Sequence, residues 1–210
     1  MRVVLISDTH ALLHTLTIPD GDLLVHSGDY GFNGSVAEWK KFLQDYSKFP
    51  HKHKLFTFGN HDCSNPNNVA LIKQEAADLG ITLLVDEMVE IEGKKIYGSP
   101  YTPRYGRWYW MKERGEQMAE HWKNIPEGLD LLFTHGPPHG ILDISIFDKV
   151  HCGCEELMKA VYDKKPRFHS FGHIHYYGGR QVTEGSTTFI NAALCSEEYK
   201  ISNEIQVIEI

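Results

Sequence analysis

Seven oxygen and nitrogen donors are scattered through this chain in a pattern that suggests metal chemistry. They are Asp8 and His10, Asp29, Asn60, His135, and His173 with His175. His61 and Asp62 stand directly after Asn60. A divalent ion takes about four to six ligands, so seven protein donors fit two ions if one carboxylate bridges and water completes the shells. No thiolate is among them, which suits harder ions such as Mn²⁺ or Fe, with Zn²⁺ as a borderline alternative. Two ions roughly 3.5–4 Å apart clamp both the attacking and the leaving oxygen of an in-line phosphoryl displacement.

Such chemistry needs a scaffold that brings distant loops together. Each donor group follows a short apolar run: Arg2–Ser7, Asp22–His26, Leu55–Phe58, Leu129–Phe133 and Arg167–Phe171. These read as buried strands. Taken singly, a Gly-Asp or a lone His after a strand is ordinary turn chemistry. Five such loops in one chain are not, because ligands of an open α/β sheet bind beyond the carboxyl ends of its strands.

Helices alternate with these strands. Ser35 and Glu38 form a capping box, followed by an apolar stripe of Trp39, Phe42, Leu43 and Tyr46 at helical spacing. Asn65-Pro66 reads as the N-cap and first position of a helix carrying Val69, Ile72 and Ala76 and stopping at Gly80. Further helices are expected over Glu113–Trp122 and Cys154–Tyr162. Short β runs cover Ile81–Val85, Met88–Ile91, Lys95–Tyr97, Ser186–Ile190 and Ile205–Ile210, with Glu92-Gly93 as a turn. The expected class is α/β, with a two-sheet core flanked by helices and one domain over 1–210.

Composition sets limits. The 210 residues carry a net charge of −7, which argues against a protein that coats nucleic acid or an anionic membrane. With 41% hydrophobic and 23% charged residues, disorder is excluded. No run approaches the 18 or more apolar residues of a membrane span. The first apolar run is only a strand's length, and of the four cysteines only Cys152 and Cys154 are close. A cytoplasmic protein with reduced thiols is the expectation.

Asp8-Thr9-His10, Gly28-Asp29, Gly59-Asn60-His61-Asp62, Thr134-His135-Gly136 and Gly172-His173-Ile174-His175 occur in the order and context of the calcineurin-like metallophosphoesterases. Gly98-Ser99-Pro100-Tyr101, Thr134 through Pro138 and Phe189-Ile190-Asn191-Ala192 further resemble the metallophosphoesterase-domain-containing subgroup first known from animal brain. The resemblance implies a four-layer α/β/β/α sandwich of two mixed sheets with a dinuclear site at the strand C-terminal ends. It implies that Asp8, His10 and His175 hold one metal, that Asn60, His135 and His173 hold the other, and that Asp29 bridges. It also implies a hydroxide shared between the ions as nucleophile, His61 as proton donor to the leaving oxygen, and Asp62 as the group that orients His61. Some relatives in the subgroup lack the first His of the final motif; His173 is present here, which favours two-metal occupancy.

The implied activity is hydrolysis of small phosphodiesters, with cyclic nucleotides as the leading substrate class. Phosphomonoester hydrolysis, including that of phosphoproteins, is the alternative within enzymes; a low-activity nucleotide-binding scaffold is the alternative outside them. A nuclease fits less well, for want of a basic patch. The segment Ser99–Trp110 is rich in aromatics and Arg. Its rings are read first as packing under the sheet and, as the alternative, as a wall beside the metals where an aromatic stacks a base, with Arg107 as a candidate phosphate contact. His139 beside the His135 loop is a second candidate contact. His51 and His53, which flank lysines, are read as solvated; His14, His26, His121, His151 and His169 match no motif and are read as structural, and Cys152 and Cys154 as packing thiols.

Overall fold

Val3, Val4, Leu5 and Ile6 are all fully buried, yet they do not share one core. Val4 and Ile6 join a cluster with Trp39, Phe42 and Ile72, whereas Val3 and Leu5 join one with Ile96, Leu131 and Phe133. Alternation along a strand sends neighbours to opposite faces, so an unbroken apolar run means a strand covered on both sides. The structure is a computed structural model that describes residues 1–210.

The strands are β1 (Arg2–Ile6), β2 (Leu23–His26), β3 (His53–Phe56), β4 (Thr82–Leu83), β5 (Glu87–Ile91), β6 (Lys94–Ser99), β7 (Thr102–Pro103), β8 (Met111–Lys112), β9 (Leu131–Thr134), β10 (Phe168–Phe171), β11 (Arg180–Glu184), β12 (Thr187–Asn191) and β13 (Gln206–Glu209). The helices are α1 (Val36–Ser47), α2 (Val69–Asp78), α3 (Glu116–Trp122) and α4 (Glu155–Lys164). One sheet has the order β13-β1-β2-β3-β4 and the other β11-β12-β10-β9-β6-β5, while β7 and β8 pair by themselves. In each large sheet the central strands are parallel and antiparallel pairings occur at the margins. Both are therefore mixed, as expected.

Three apolar layers separate four structural ones. Val3, Leu5, Leu23 and Leu55 of the first sheet meet Ile96, Leu131, Phe133 and Ile190 of the second. The outer face of the first sheet is covered by α1 and α2 through Trp39, Phe42, Leu43, Tyr46, Ile72 and Ala76. The outer face of the second is covered by α3 and α4 through Met118, Trp122, Leu157 and Val161. The Ser35 hydroxyl accepts from Glu38 N while the Glu38 carboxylate accepts from Ser35 N, so the capping box forms. Tyr46 reaches back from α1 and donates its hydroxyl proton toward the carbonyls of Leu24 and Leu55 at 3.0 and 2.9 Å, bracing β2 against β3. No helix is long and apolar enough to cross a membrane.

The parallel strands β1, β2, β3, β9 and β10 all end toward one edge. The segment after β12 closes that edge. Leu194 N donates to Ser7 O at 3.0 Å and Cys195 N to Asp8 O at 3.3 Å, so a chain leaving the second sheet is stitched onto the end of β1.

Candidate metal centre

The loops beyond these strands bind one another through their backbones. Asp8 N donates to Gly28 O at 2.9 Å and His10 N to Asp29 O at 3.1 Å, fixing the β1 loop to the β2 loop. Gly172 N donates to His135 O at 2.9 Å, fixing the β10 loop to the β9 loop. Asp8, His10, Asp29 and His173 have φ of 51°, 40°, 55° and 68°. Left-handed backbone at non-glycine residues is costly and persists where surroundings enforce it. Two glycines allow close approach: a Cβ on Gly59 would lie 2.2 Å from Asp29 Oδ1, and one on Gly172 would lie 1.9 Å from Asp8 Oδ2.

Two donor groups result. Ligand atoms of Asp8, His10 and His175 lie within 4.8 Å of one another, and so do those of Asp29, His135 and His173. In the first, His175 Nε2 is 3.2 Å from both His10 Nε2 and Asp8 Oδ1. In the second, His135 Nε2 is 3.3 Å from Asp29 Oδ2 and 2.9 Å from Asn60 Oδ1. Asn60 thus lies beside His135 at the second group, which Asp29 shares with His135 and His173. The groups touch through His173, whose backbone N–H donates to both Asp8 oxygens at 3.1 and 3.0 Å.

The donor set fits metal ions by a further criterion. His10 Nδ1 lies 2.9 Å from Gly31 O, His135 Nδ1 3.0 Å from Ser27 O, and His175 Nδ1 3.0 Å from Ser196 O. Each carbonyl takes the Nδ1 proton and leaves Nε2 free to face the centre, the arrangement that orients imidazole ligands. Without metal, protons hold the site together. Burial alone would favour the neutral His135 ring, but the Asp29 carboxylate overrides it and holds the ring up at about 9. Burial likewise opposes the charged His175 ring, and Asp8 raises it to about 9. The same contacts outweigh burial at the carboxyls and keep Asp8 and Asp29 well below the usual carboxylate range. His173 has no such partner, and burial pushes it down to about 3.

His61 sits at the rim. Its backbone N–H donates to Asp29 Oδ1 at 2.8 Å and its Nδ1 lies 2.7 Å from Phe32 O. The ring of His10 is 5.2 Å away and that of Trp108 is 4.2 Å away. Asp62 does not touch the His61 ring. Its buried carboxylate accepts from the backbone N–H groups of Gly59, Gly31 and Tyr30 at 2.9, 3.1 and 3.3 Å. The orienting contact expected of Asp62 is made by the Phe32 carbonyl, and Asp62 instead ties the β2 and β3 loops together.

The aromatic segment divides. Trp110 turns inward, stacks on Phe58 at 4.9 Å and donates its indole proton to Asp62 O. Tyr105 and Trp108 stay about 40% exposed beside His173 and His61. Tyr199 closes the other side, 4.8 Å from the His10 ring. These three rings form a collar; Tyr105 and Trp108 belong to the aromatic segment for which a wall beside the metals was one reading, whereas Tyr199 carried no sequence signal. Arg107 is exposed on that segment and is not among the residues lining the cleft beside His173, where Arg104 and Arg114 lie. His139 is half-buried and packs on His151 at 4.8 Å, outside both donor groups. His14 is exposed, His26 and His169 are buried, and Cys154 caps α4 by accepting from Leu157 N.

A family model described as calcineurin-like phosphoesterase matches residues 1–177. A UPF0046 protein of Caenorhabditis elegans is 40% identical over 98% of this chain and 72% of its own length. The human metallophosphoesterase domain-containing protein 1 is 35% identical over 100% of this chain and 71% of its own length. Among solved structures, the phosphopantetheinyl hydrolase of Mycobacterium tuberculosis superposes with a TM-score of 0.63 at 11% identity, covering 94% of this chain and 90% of its own, a likeness of fold.

Proposed function

The chain belongs to the calcineurin-like phosphoesterase family, whose members hydrolyse phosphate esters with divalent metals, and from that premise we propose that it is a phosphodiesterase for small substrates, cyclic nucleotides foremost. The observation that carries the reading is the convergence of Asp8, His10 and His175 with Asp29, His135 and His173, each of three imidazoles locked at Nδ1 by a backbone carbonyl. Asp8, His10 and His175 would hold one cation; Asn60, His135 and His173 the other; Asp29 would serve both. Mn²⁺ or Fe suits these donors best, with Zn²⁺ also compatible. Two cations so held would supply Lewis acidity and the attacking water.

The chain's own contribution is proton delivery and enclosure. His61 keeps one proton on Nδ1 against Phe32 O, which leaves Nε2 for the substrate. As the bond from phosphorus to the leaving oxygen breaks, the Nε2 proton passes to that oxygen and the ring is left neutral. The Phe32 carbonyl fixes the ring's plane, Trp108 walls one side, and Asp62 holds the loops on which both depend. Tyr105, Trp108 and Tyr199 offer flat faces to a ring-bearing substrate.

The test is turnover by protein loaded with Mn²⁺, on bis(4-nitrophenyl) phosphate, 4-nitrophenyl phosphate and a cyclic-nucleotide panel. Diester turnover should exceed monoester turnover. Dominant monoester turnover would select the phosphomonoesterase alternative, and turnover of none above background would end the enzymatic reading.

A further inference from the structure

Beyond the metal ligands and His61, a further histidine is held as a working imidazole would be. His151 Nδ1 lies 2.7 Å from Asp143 Oδ1. Asp143 is 1% exposed, and its other oxygen accepts from Gly140 N at 3.0 Å and Gly153 N at 3.1 Å. A carboxylate fixed by two backbone N–H groups fixes in turn the tautomer and plane of the ring it meets. His151 Nε2 has no partner within the chain, and the residue is exposed. The hairpin carrying it is clamped at its base by Arg114, which donates to the carbonyls of Cys152 and Gly153 at 2.8 Å each.

His151 lines the same cleft, about 590 Å³ in volume, as the ligand His173. Tyr105 and the exposed Phe147 add ring and apolar surface to it. Its cations are already engaged: Arg104 pairs with Glu113, and Arg114 pairs with Glu155 at 2.6 Å. Asp148 and Glu197 add uncompensated negative charge to its walls. A second phosphate would meet no free cation there.

We infer that His151, aligned by Asp143, grips the ester substituent that extends past the metal centre, and that this substituent is an uncharged, ring-bearing group rather than a further phosphate. His151 is a specificity-determining residue that touches substrate; Asp143 is a positioning residue. The inference rests on the phosphoesterase reading above, because it assumes that a phosphoryl group sits at the donor groups. A three- to tenfold change in affinity corresponds to about 0.7–1.4 kcal/mol, the scale of one hydrogen bond.

The experiment is calorimetry on full-length protein loaded with Mn²⁺, using inorganic phosphate and adenosine 5′-monophosphate as probes. Phosphate occupies only the metal centre, whereas the nucleotide also places an uncharged nucleoside in the cleft. The wild type should bind the nucleotide more tightly than phosphate. His151→Ala should shrink the ratio of the two dissociation constants three- to tenfold, Asp143→Asn should shrink it in the same direction, and His151→Gln should recover part of it. His151→Gln also serves as the working variant if His151→Ala fails to fold. A wild type that binds both probes alike, or variants that keep the wild-type ratio, would overturn the inference. Absence of diester turnover with the ratio shift intact would instead count against the activity proposed above.

Discussion

Thr9 Oγ1 stands 2.9 Å from Nε2 of the wholly buried His26, directly beneath the loop that carries Asp8 and His10. Gly28 N donates to His26 Nδ1 at 3.2 Å, so the single ring proton is on Nε2 and points to the threonine. The second sheet repeats the arrangement. His169 Nε2 is 2.9 Å from Thr134 Oγ1, whose own proton goes to Gly136 O at 2.7 Å. His169 is therefore the donor, and its Nδ1 is a buried acceptor without a partner. Each sheet supports a ligand loop on a neutral histidine, and a second ring proton would meet either a donor or an apolar wall.

Acid should therefore weaken the fold through these rings. Burial pushes both His26 and His169 down to about 3. An unfolded histidine takes up its proton at about 6.5. Between those values the unfolded chain binds protons that the folded chain refuses, so stability falls as pH drops below about 6.5. The slope is up to about 1.4 kcal/mol per pH unit for each ring. His169 sits among Phe171 and Phe189, with ring centroids 5.2 and 5.8 Å away, so His169→Phe suits the site chemically. In urea unfolding of metal-free protein, the wild type should lose about 1.6 kcal/mol more than His169→Phe between pH 6.5 and 5. Parallel curves for the two proteins would contradict the assignment.

Metal uptake should release protons. In the metal-free chain His135 and His175 are held at about 9 by Asp29 and Asp8 against the opposing effect of burial. Both rings carry an extra proton near neutral pH, and a cation can use their Nε2 atoms only after displacing it. Binding at pH 7.5 should therefore release about two protons and weaken as pH falls, by about tenfold per unit for each proton displaced. Calorimetry in buffers of different ionisation enthalpy reads this directly, and a buffer-independent heat would refute it. The same pairs stabilise the metal-free fold fully below about 6.5, and that contribution is lost as pH rises through about 9.

The role proposed for His61 would separate proton delivery from metal binding. Its contact with Asp29 is made by the backbone N–H, which a side-chain substitution keeps. His61→Ala should thus lower kcat by about a hundredfold or more on a diester with an alkoxide leaving group. The loss should shrink with a 4-nitrophenolate leaving group, which needs little protonation. Elemental analysis should find Mn²⁺ content close to that of the wild type. Matched losses of metal and kcat would assign His61 to the metal shell instead.

Legibility in the sequence followed the physics of each feature. The run Val3–Ile6 announced a strand buried on both faces, and the donors after five such runs announced a shared edge. β11 was not anticipated, because all five of its residues are exposed and show no alternation; its pairing with β12 alone defines it. Trp108 and Trp110 have the same side chain two positions apart, yet only Trp110 turns inward, from a left-handed backbone at φ 55°. Residue type carries no trace of that turn. The partner of Asp62 was hidden for a related reason: its carboxylate meets backbone N–H groups about thirty positions earlier, and a backbone group has no signature in sequence.

Gly172 gives the sharpest test of how tightly the loops are set. A Cβ there would fall 1.9 Å from Asp8 Oδ2 and 2.2 Å from Ser7 Oγ, distances no methyl group tolerates. The Asp8 carboxylate cannot yield without leaving His175, 3.2 Å away. Gly172→Ala should therefore weaken Mn²⁺ binding by about 10- to 100-fold, the scale seen when support around a metal ligand is lost. Gly80→Ala is the control. Its Cβ would meet nothing within 4 Å, and only its φ of +69° resists the change. That variant should cost about 1 kcal/mol of stability and leave metal affinity as it is. Titration of both variants with Mn²⁺, beside their urea midpoints, distinguishes a steric lock on Asp8 from general loosening of the fold. Equal metal affinity in the two would show that the Asp8 carboxylate has room to move.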